Sequence, residues 1–110
     1  MTYTLPEPPS ANRYFRVFQG VPVTSKETRA YKKKVAVLLH GKCKPAKGEV
    51  SLTLAWYRSR KSGDLDNRAK VALDALQGSL YLNDSQIVAL HLYRYDDKAN
   101  PRIEVSVQDA

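Results

Sequence analysis

Between Glu49 and Leu76 the hydrophobic period of the chain changes once, and that change restricts the fold more than any other feature. Val50, Leu52, Leu54 and Trp56 alternate with Ser51, Thr53, Ala55 and Tyr57. A two-residue period places the four large apolar side chains on one face, so the segment reads as a strand with one buried side. Arg58, Arg60 and Lys61 close it, and Ser62-Gly63 turns the chain. Leu65, Ala69, Ala72, Leu73 and Leu76 then follow at helical spacing, with Gly78 as the stop. After Asn83-Asp84 the apolar run from Ile87 to Tyr95 reads as another strand. A helix between two strands is expected to be a crossover that covers the sheet they share.

The rest of the chain fits around that unit. Tyr3 and Leu5 alternate weakly before Pro6, Pro8 and Pro9, which predicts a short edge strand and then a loop. Thr24 and Glu27 stand at capping-box spacing ahead of Tyr31, Val35, Leu38 and Leu39, so residues 25–40 are expected to form a helix ended by Gly41. Residues 102–107 predict a last strand, joined to 87–95 by the polar loop Asp96 to Pro101 as an antiparallel hairpin. The order strand, helix, strand, helix, strand, strand points to an α+β fold, a mixed sheet of about four strands covered by two helices. A chain of 110 residues has room for one such domain, 1–110, so any larger assembly is expected to come from oligomerisation.

Two features bound the setting. No apolar run approaches membrane-spanning length, and MTYTLPEPPS lacks the regions of a signal peptide. Cys43 is the single cysteine and can form no intramolecular disulfide, so a reducing cytoplasm is the expected compartment.

Charge is distributed unevenly. The formal net charge is +7, which favours a polyanionic partner. Residues 1–61 hold 13 of the 18 basic and 3 of the 11 acidic side chains, a net of +10, whereas residues 62–110 hold 5 and 8, a net of −3. A protein that only coated a nucleic acid would gain nothing by gathering carboxylates in one half, because each repels phosphate.

The carboxylates that need an explanation are Asp64, Asp66 and Asp84. Asp64 and Asp66 flank Leu65 at a loop–helix junction, where burial of Leu65 would leave both facing one side. Either one alone reads as a helix cap or a first-turn residue favoured by the helix dipole. Together with Asp84 after the same helix, and with Arg58, Arg60, Lys61, Arg68 and Lys70 flanking them, they suit a hard cation such as Mg²⁺. Such a site serves phosphodiester hydrolysis. Lys70 stands four residues after Asp66 and four before Asp74, which fits a helical surface ion pair or a cation reserved for the phosphate. Asn67 fits a polar ligand or a helix-start residue. Asp74, two turns deeper, reads as structural.

In this order the motifs resemble the RusA family of Holliday junction resolvases. The matching elements are Pro8-Pro9-Ser10 with Asn12-Arg13-Tyr14, Asp64-Leu65-Asp66-Asn67 with Lys70, Leu73-Asp74-Ala75-Leu76 with Gly78, and Asp84-Ser85-Gln86-Ile87. The resemblance implies a homodimeric, Mg²⁺-dependent or Mn²⁺-dependent endodeoxyribonuclease that nicks four-way DNA junctions on two strands during recombination and repair. It implies Asp64, Asp66 and Asp84 as the acidic catalytic and metal positions and Lys70 as the basic one. It also marks one departure: where the family commonly has two adjacent aspartates, this chain has Asn83 before Asp84, and weaker metal affinity is expected.

Branched DNA as substrate makes Arg13, Arg16, Lys26, Arg29, Lys32, Lys33, Lys34, Arg58, Arg60 and Lys61 the expected phosphate contacts. Tyr14, Phe15 and Tyr57 could stack on bases at a branch, with core packing the expected job of each. His40 and His91 show no ligand spacing, and Lys42 and Lys44 beside Cys43 could lower its pKa. The rival reading is a branched-DNA-binding protein without catalysis, with Asn83 as the mark of a decayed site. A third, an interaction domain whose acids only cap a helix, leaves the charge asymmetry unexplained.

Overall fold

A computed structural model describes residues 2–9, 15–18, 21–24, 26–61 and 63–110, the segments 15–18 and 21–24 by their backbone alone. The elements in chain order are β1 (Thr2–Pro6), β2 (Phe15–Phe18), β3 (Val21–Thr24), α1 (Lys26–Leu39), β4 (Val50–Arg58), α2 (Leu65–Leu76), a 3₁₀ turn (Asp84–Gln86), β5 (Ile87–Asp96) and β6 (Arg102–Asp109). The main sheet has the order β1-β6-β4-β5, and β2 and β3 form a separate antiparallel pair. This is the expected α+β arrangement of four mixed strands and two helices.

The alternating segment became the central strand. Val50, Leu52, Leu54 and Trp56 are completely buried, while Ser51, Thr53, Ala55 and Tyr57 on the other face are only partly covered. The buried face meets Ile103 and Val105 of β6 and, from the helices, Tyr31, Val35, Leu39, Val71, Ala72, Ala75 and Leu76. Complete burial is worth roughly 1.5–3 kcal/mol for each large apolar side chain, so this row and the helix stripes dominate the stability of the domain. α1 packs on α2, α1 reaches β1, and α2 lies against β5.

β4 and β5 are parallel neighbours, so α2 is the crossover its position implied. The expected terminal hairpin did not form. β6 pairs antiparallel with β4 and with β1 and has no partnership with β5. The reason lies in the side chains: β4 needs cover along its whole length, and β6 supplies Ile103 and Val105 to the buried layer. β5 keeps Val88, Leu90, Tyr93 and Tyr95 about half exposed, a pattern suited to an edge. The link from β5 to β6 therefore passes over the end of β4, where the Asp97 amide donates to the Arg58 carbonyl at 3.1 Å.

The β2–β3 pair was not foreseen, although two apolar runs around Gln19-Gly20 carried a hairpin signal. Thr24 is the last residue of β3, which removes it from the expected helix cap. No described helix is long and apolar enough to cross a membrane.

Candidate active site

α2 and the turn after it bring the acidic motif into a cavity of about 350 Å³ beside β5. Its walls are Asp66, Ala69, Lys70, Leu73 and Asp74 from α2, Asp84 from the 3₁₀ turn, and Ile87, Leu90 and Leu92 from β5. The α2 residues are spaced i, i+3, i+4, i+7 and i+8, the positions that share one helix face. Asp74, read from sequence as structural, thus stands with Asp66 and Lys70. The 66-70-74 spacing places all three on one helix face, which is compatible with the structural role read for Asp74.

Asp64 is placed differently. It occupies the cap position of α2 with extended backbone, yet its side chain makes no cap hydrogen bond and it does not line the cavity. Its Oδ2 accepts from Asn67 Nδ2 at 3.2 Å, while Asp66 Oδ1 accepts from the Asn67 backbone N–H at 3.0 Å. One asparagine therefore orients both carboxylates. Among the described residues no group of three acidic, His or Cys side chains is placed to hold one ion, so the structure does not gather Asp64, Asp66 and Asp84 into a single cluster. Asp66 and Asp84 share the cavity, and Asp64 is not part of its lining.

The turn carrying Asp84 is held from both sides. Asn83 Oδ1 accepts from the Ser85 amide at 2.9 Å, and Gln86 Oε1 accepts from the Leu82 and Asn83 amides, both at 2.8 Å. These bonds complete a capping box over a single turn. The side-chain Nε2 of Gln86 donates to the Ala46 and Gly48 carbonyls at 2.8 and 2.7 Å, tying the turn to the loop before β4. Asn83 is thus a cap whose oxygen is occupied. Below the turn lies Tyr81, fully buried, whose hydroxyl donates to the Leu73 carbonyl. Burial first, and the Asp74 and Asp84 carboxylates second, hold its phenol well above the ordinary range.

The flanking cations divide by task. Arg68 donates to the Pro8 carbonyl and lies over the Trp56 ring at 5.2 Å, so it ties the N-terminal segment to α2 instead of facing phosphate. Gly63 makes room for this: its φ is +96°, and a Cβ there would meet Trp56 at 3.3 Å. Glu7 secures the same segment by accepting from Trp56 Nε1 at 2.8 Å, from the Ser59 amide at 3.0 Å and from the Ser59 hydroxyl at 2.9 Å.

Arg58, expected to contact phosphate, is paired with Asp96 and its side chain is 11% exposed. With Ser59, Arg60, Lys61, Asp96 and Lys98 it lines a second cavity of about 370 Å³. Arg60 and Lys61 are exposed, as are Lys26, Arg29, Lys33 and Lys34 on α1, while Lys32 is half-buried. Arg13, Tyr14 and the side chains of Phe15 and Arg16 lie outside the described residues. Cys43 departs from expectation: its thiol donates to the Leu39 and Ser79 carbonyls at 3.7 and 3.3 Å, and burial pushes its pKa up.

Comparison with known proteins identifies the family. The family model described as endodeoxyribonuclease RusA matches residues 6–108. The crossover junction endodeoxyribonuclease RusA of Escherichia coli (strain K12) is 33% identical over an alignment covering 96% of this chain and 92% of the relative. Its counterparts in Shigella sonnei (strain Ss046) and Enterobacteria phage 82 are 34% and 32% identical over the same shares. A family match running from the strand that borders the sheet to the strand that completes its core leaves no element of the site outside it: the chain belongs to the RusA family of endodeoxyribonucleases.

Proposed function

We propose that this protein is a divalent-metal-dependent endodeoxyribonuclease that resolves four-way DNA junctions by paired nicks. The observation that carries the reading is the convergence of Asp66, Asp84 and Lys70 on one cavity at the edge of a strongly basic protein. A non-catalytic binder has no use for exposed carboxylates in that position, since they oppose phosphate.

The donor set fits Mg²⁺ or Mn²⁺. Mg²⁺ takes one or two carboxylates, keeps several waters and engages substrate phosphate, and two hard oxygen donors in an open cavity match that demand. Asp66 and Asp84 would hold the ion, with Asp64 close in sequence as a further acidic group. When bound there, the ion supplies charge neutralisation at the phosphate and a more acidic water. The protein's own contribution is orientation and counter-charge. Asn67 aligns Asp66 through its amide, Gln86 and Asn83 fix the turn that bears Asp84, and the Lys70 ammonium lies one helical turn from Asp66 to balance negative charge on the cleaved phosphate. Asn83, already engaged by Ser85, acts on the site through the turn.

Two symmetric nicks require two sites related by a two-fold axis, which a homodimer provides. Arg60, Lys61 and the exposed cations of α1 would hold the duplex arms through phosphate, without reading sequence.

The deciding experiment compares a synthetic four-way junction with a linear duplex of the same sequence, each with Mg²⁺ and with chelator. Paired nicking of the junction alone, dependent on the metal, is the expected result. Junction binding with no cleavage by the wild-type protein under any divalent metal would establish the rival, non-catalytic reading.

A further inference from the structure

The sheet face opposite the helices carries an aromatic row that neither the core nor the cavity uses. Tyr57 and Tyr95 are register partners on β4 and β5, with ring centroids 5.1 Å apart and planes inclined by 26°. Tyr93, two residues earlier on β5 and so on the same face, continues the row at 6.5 Å and 15°. Arg102, the register partner of Tyr57 on β6, lies over the Tyr57 ring at 3.9 Å and closes the row at its other end. Tyr93 and Tyr95 are each 48% exposed, while Tyr57 is half-buried between Tyr95 and Arg102, on the open face of the sheet and outside the helix-covered core where it was expected.

Tyr57 and Tyr95 lead directly into the basic cavity. The next residues on their strands are Arg58 and Asp96, which pair with each other and line that cavity with Arg60, Lys61 and Lys98. Four cations face one carboxylate there, and that carboxylate is already matched by Arg58. The acids beside Arg102 are neutralised likewise, Asp97 at 2.8 Å and Glu104 at 3.0 Å. Aromatic rings about half exposed next to a surplus of positive charge suit a ligand that alternates flat bases with phosphates. Paired bases hide their faces in the stack, so the ligand has to be unpaired.

We propose that Tyr57, Tyr93 and Tyr95, with Lys98, Arg60 and Lys61 at their end, form a docking surface for a short unpaired DNA strand, such as bases released at a junction's branch point. The proposal rests on the junction-cleaving reading for its biological setting, but its chemistry is independent of the metal and of Asp66 and Asp84.

The test uses the full-length protein in chelator with a fluorescein-labelled decathymidylate, a linear duplex and a four-way junction carrying 2-aminopurine beside the branch. Tyr95→Ala and Tyr93→Ala are each expected to weaken decathymidylate binding about tenfold, the scale of one lost base–aromatic stack, and to leave duplex binding unchanged. Tyr95→Phe keeps the ring and is expected to stay within about twofold of wild type, whereas Tyr95→Leu keeps apolar area without the ring and is expected to behave as the alanine variant. Lys98→Ala is expected to lower the salt dependence of binding by about one phosphate contact. Quenching of 2-aminopurine by the wild type, lost in Tyr95→Ala, supports docking at the branch. Equal affinity of wild type and both alanine variants for decathymidylate overturns the proposal while the nuclease reading stands. A fall in sedimenting mass with Tyr93→Ala or Tyr95→Ala also overturns it, because the row would then be a contact between two copies. Wild-type protein that binds neither decathymidylate nor the junction overturns both readings.

Discussion

Removing the charge of Asp66 while keeping its shape isolates what that carboxylate does. Asp66→Asn is expected to lower junction nicking by about 10²-fold or more, a loss typical of removing one preorganised electrostatic group, while gel-shift affinity for the junction is retained or improved. Asn83→Asp is the complementary test. Aspartate caps as well as asparagine does, so denaturation midpoints should stay unchanged, while a new negative charge beside Asp84 should tighten the Mg²⁺ dependence of nicking by roughly 1 kcal/mol, about fivefold. Tyrosine ionisation checks the packing under the site. Burial raises the phenols of Tyr31 and Tyr81 far above the unfolded value of about 10, so the neutral rings contribute stability that is fully present below that pH and lost as pH rises beyond it. Absorbance titration of the seven tyrosines should therefore leave at least two un-ionised at pH 11 until the protein unfolds. At this scale the sequence was a good guide to residue type and a poor one to direction. It named Asp66, Asp84 and Lys70, but it could not show that Arg68 turns inward to Pro8 and Trp56, because a cation's partner sixty residues away leaves no local pattern.

Among the elements, the 3₁₀ turn shows how a motif carries structure and chemistry together. The Gln86 side chain makes four hydrogen bonds, two that close the turn and two that fasten it to the loop before β4. Gln86→Ala should cost about 2 kcal/mol, read as a lower denaturation midpoint at constant m-value, and should raise the Mg²⁺ concentration needed for nicking about tenfold or more by releasing Asp84. Periodicity located β4, α2 and β6 because each has one buried face, β5 showed through its run of apolar and aromatic residues, and the crossover followed from their order. It missed the place of β6, since strand pairing depends on which neighbour needs cover. Val50, Leu52, Leu54 and Trp56 had already singled out β4 as the most buried strand, and a central strand needs a partner on each side. The β2–β3 pair was missed because Pro22 and the prolines ahead of the segment read more readily as loop than as hairpin.

For the molecule as a whole, the reading requires two copies acting on one substrate. Sedimentation at micromolar concentration should give twice the monomer mass, and a junction nicked once should be resolved by the second cut before the complex dissociates. Linear DNA should remain uncut under the same conditions. The cavity is lined by β5, which has no further strand neighbour among the described residues, so access to the carboxylates does not depend on breaking any pairing within the sheet. The β1–β6 pairing has a further consequence for how the protein comes into being. Thr2 is matched with Ser106 and Leu5 with Ile103, so the first strand made waits for the last. Contacts that span nearly the whole chain carry the largest loop-closure cost and form late. During synthesis β4, α2 and β5 can assemble once residue 96 has left the ribosome, yet one side of β4 stays bare until β6 emerges. The candidate cavity, which needs only α2, the turn and β5, can thus take shape before the sheet is complete, and the nascent chain is most prone to wrong strand pairing in that interval.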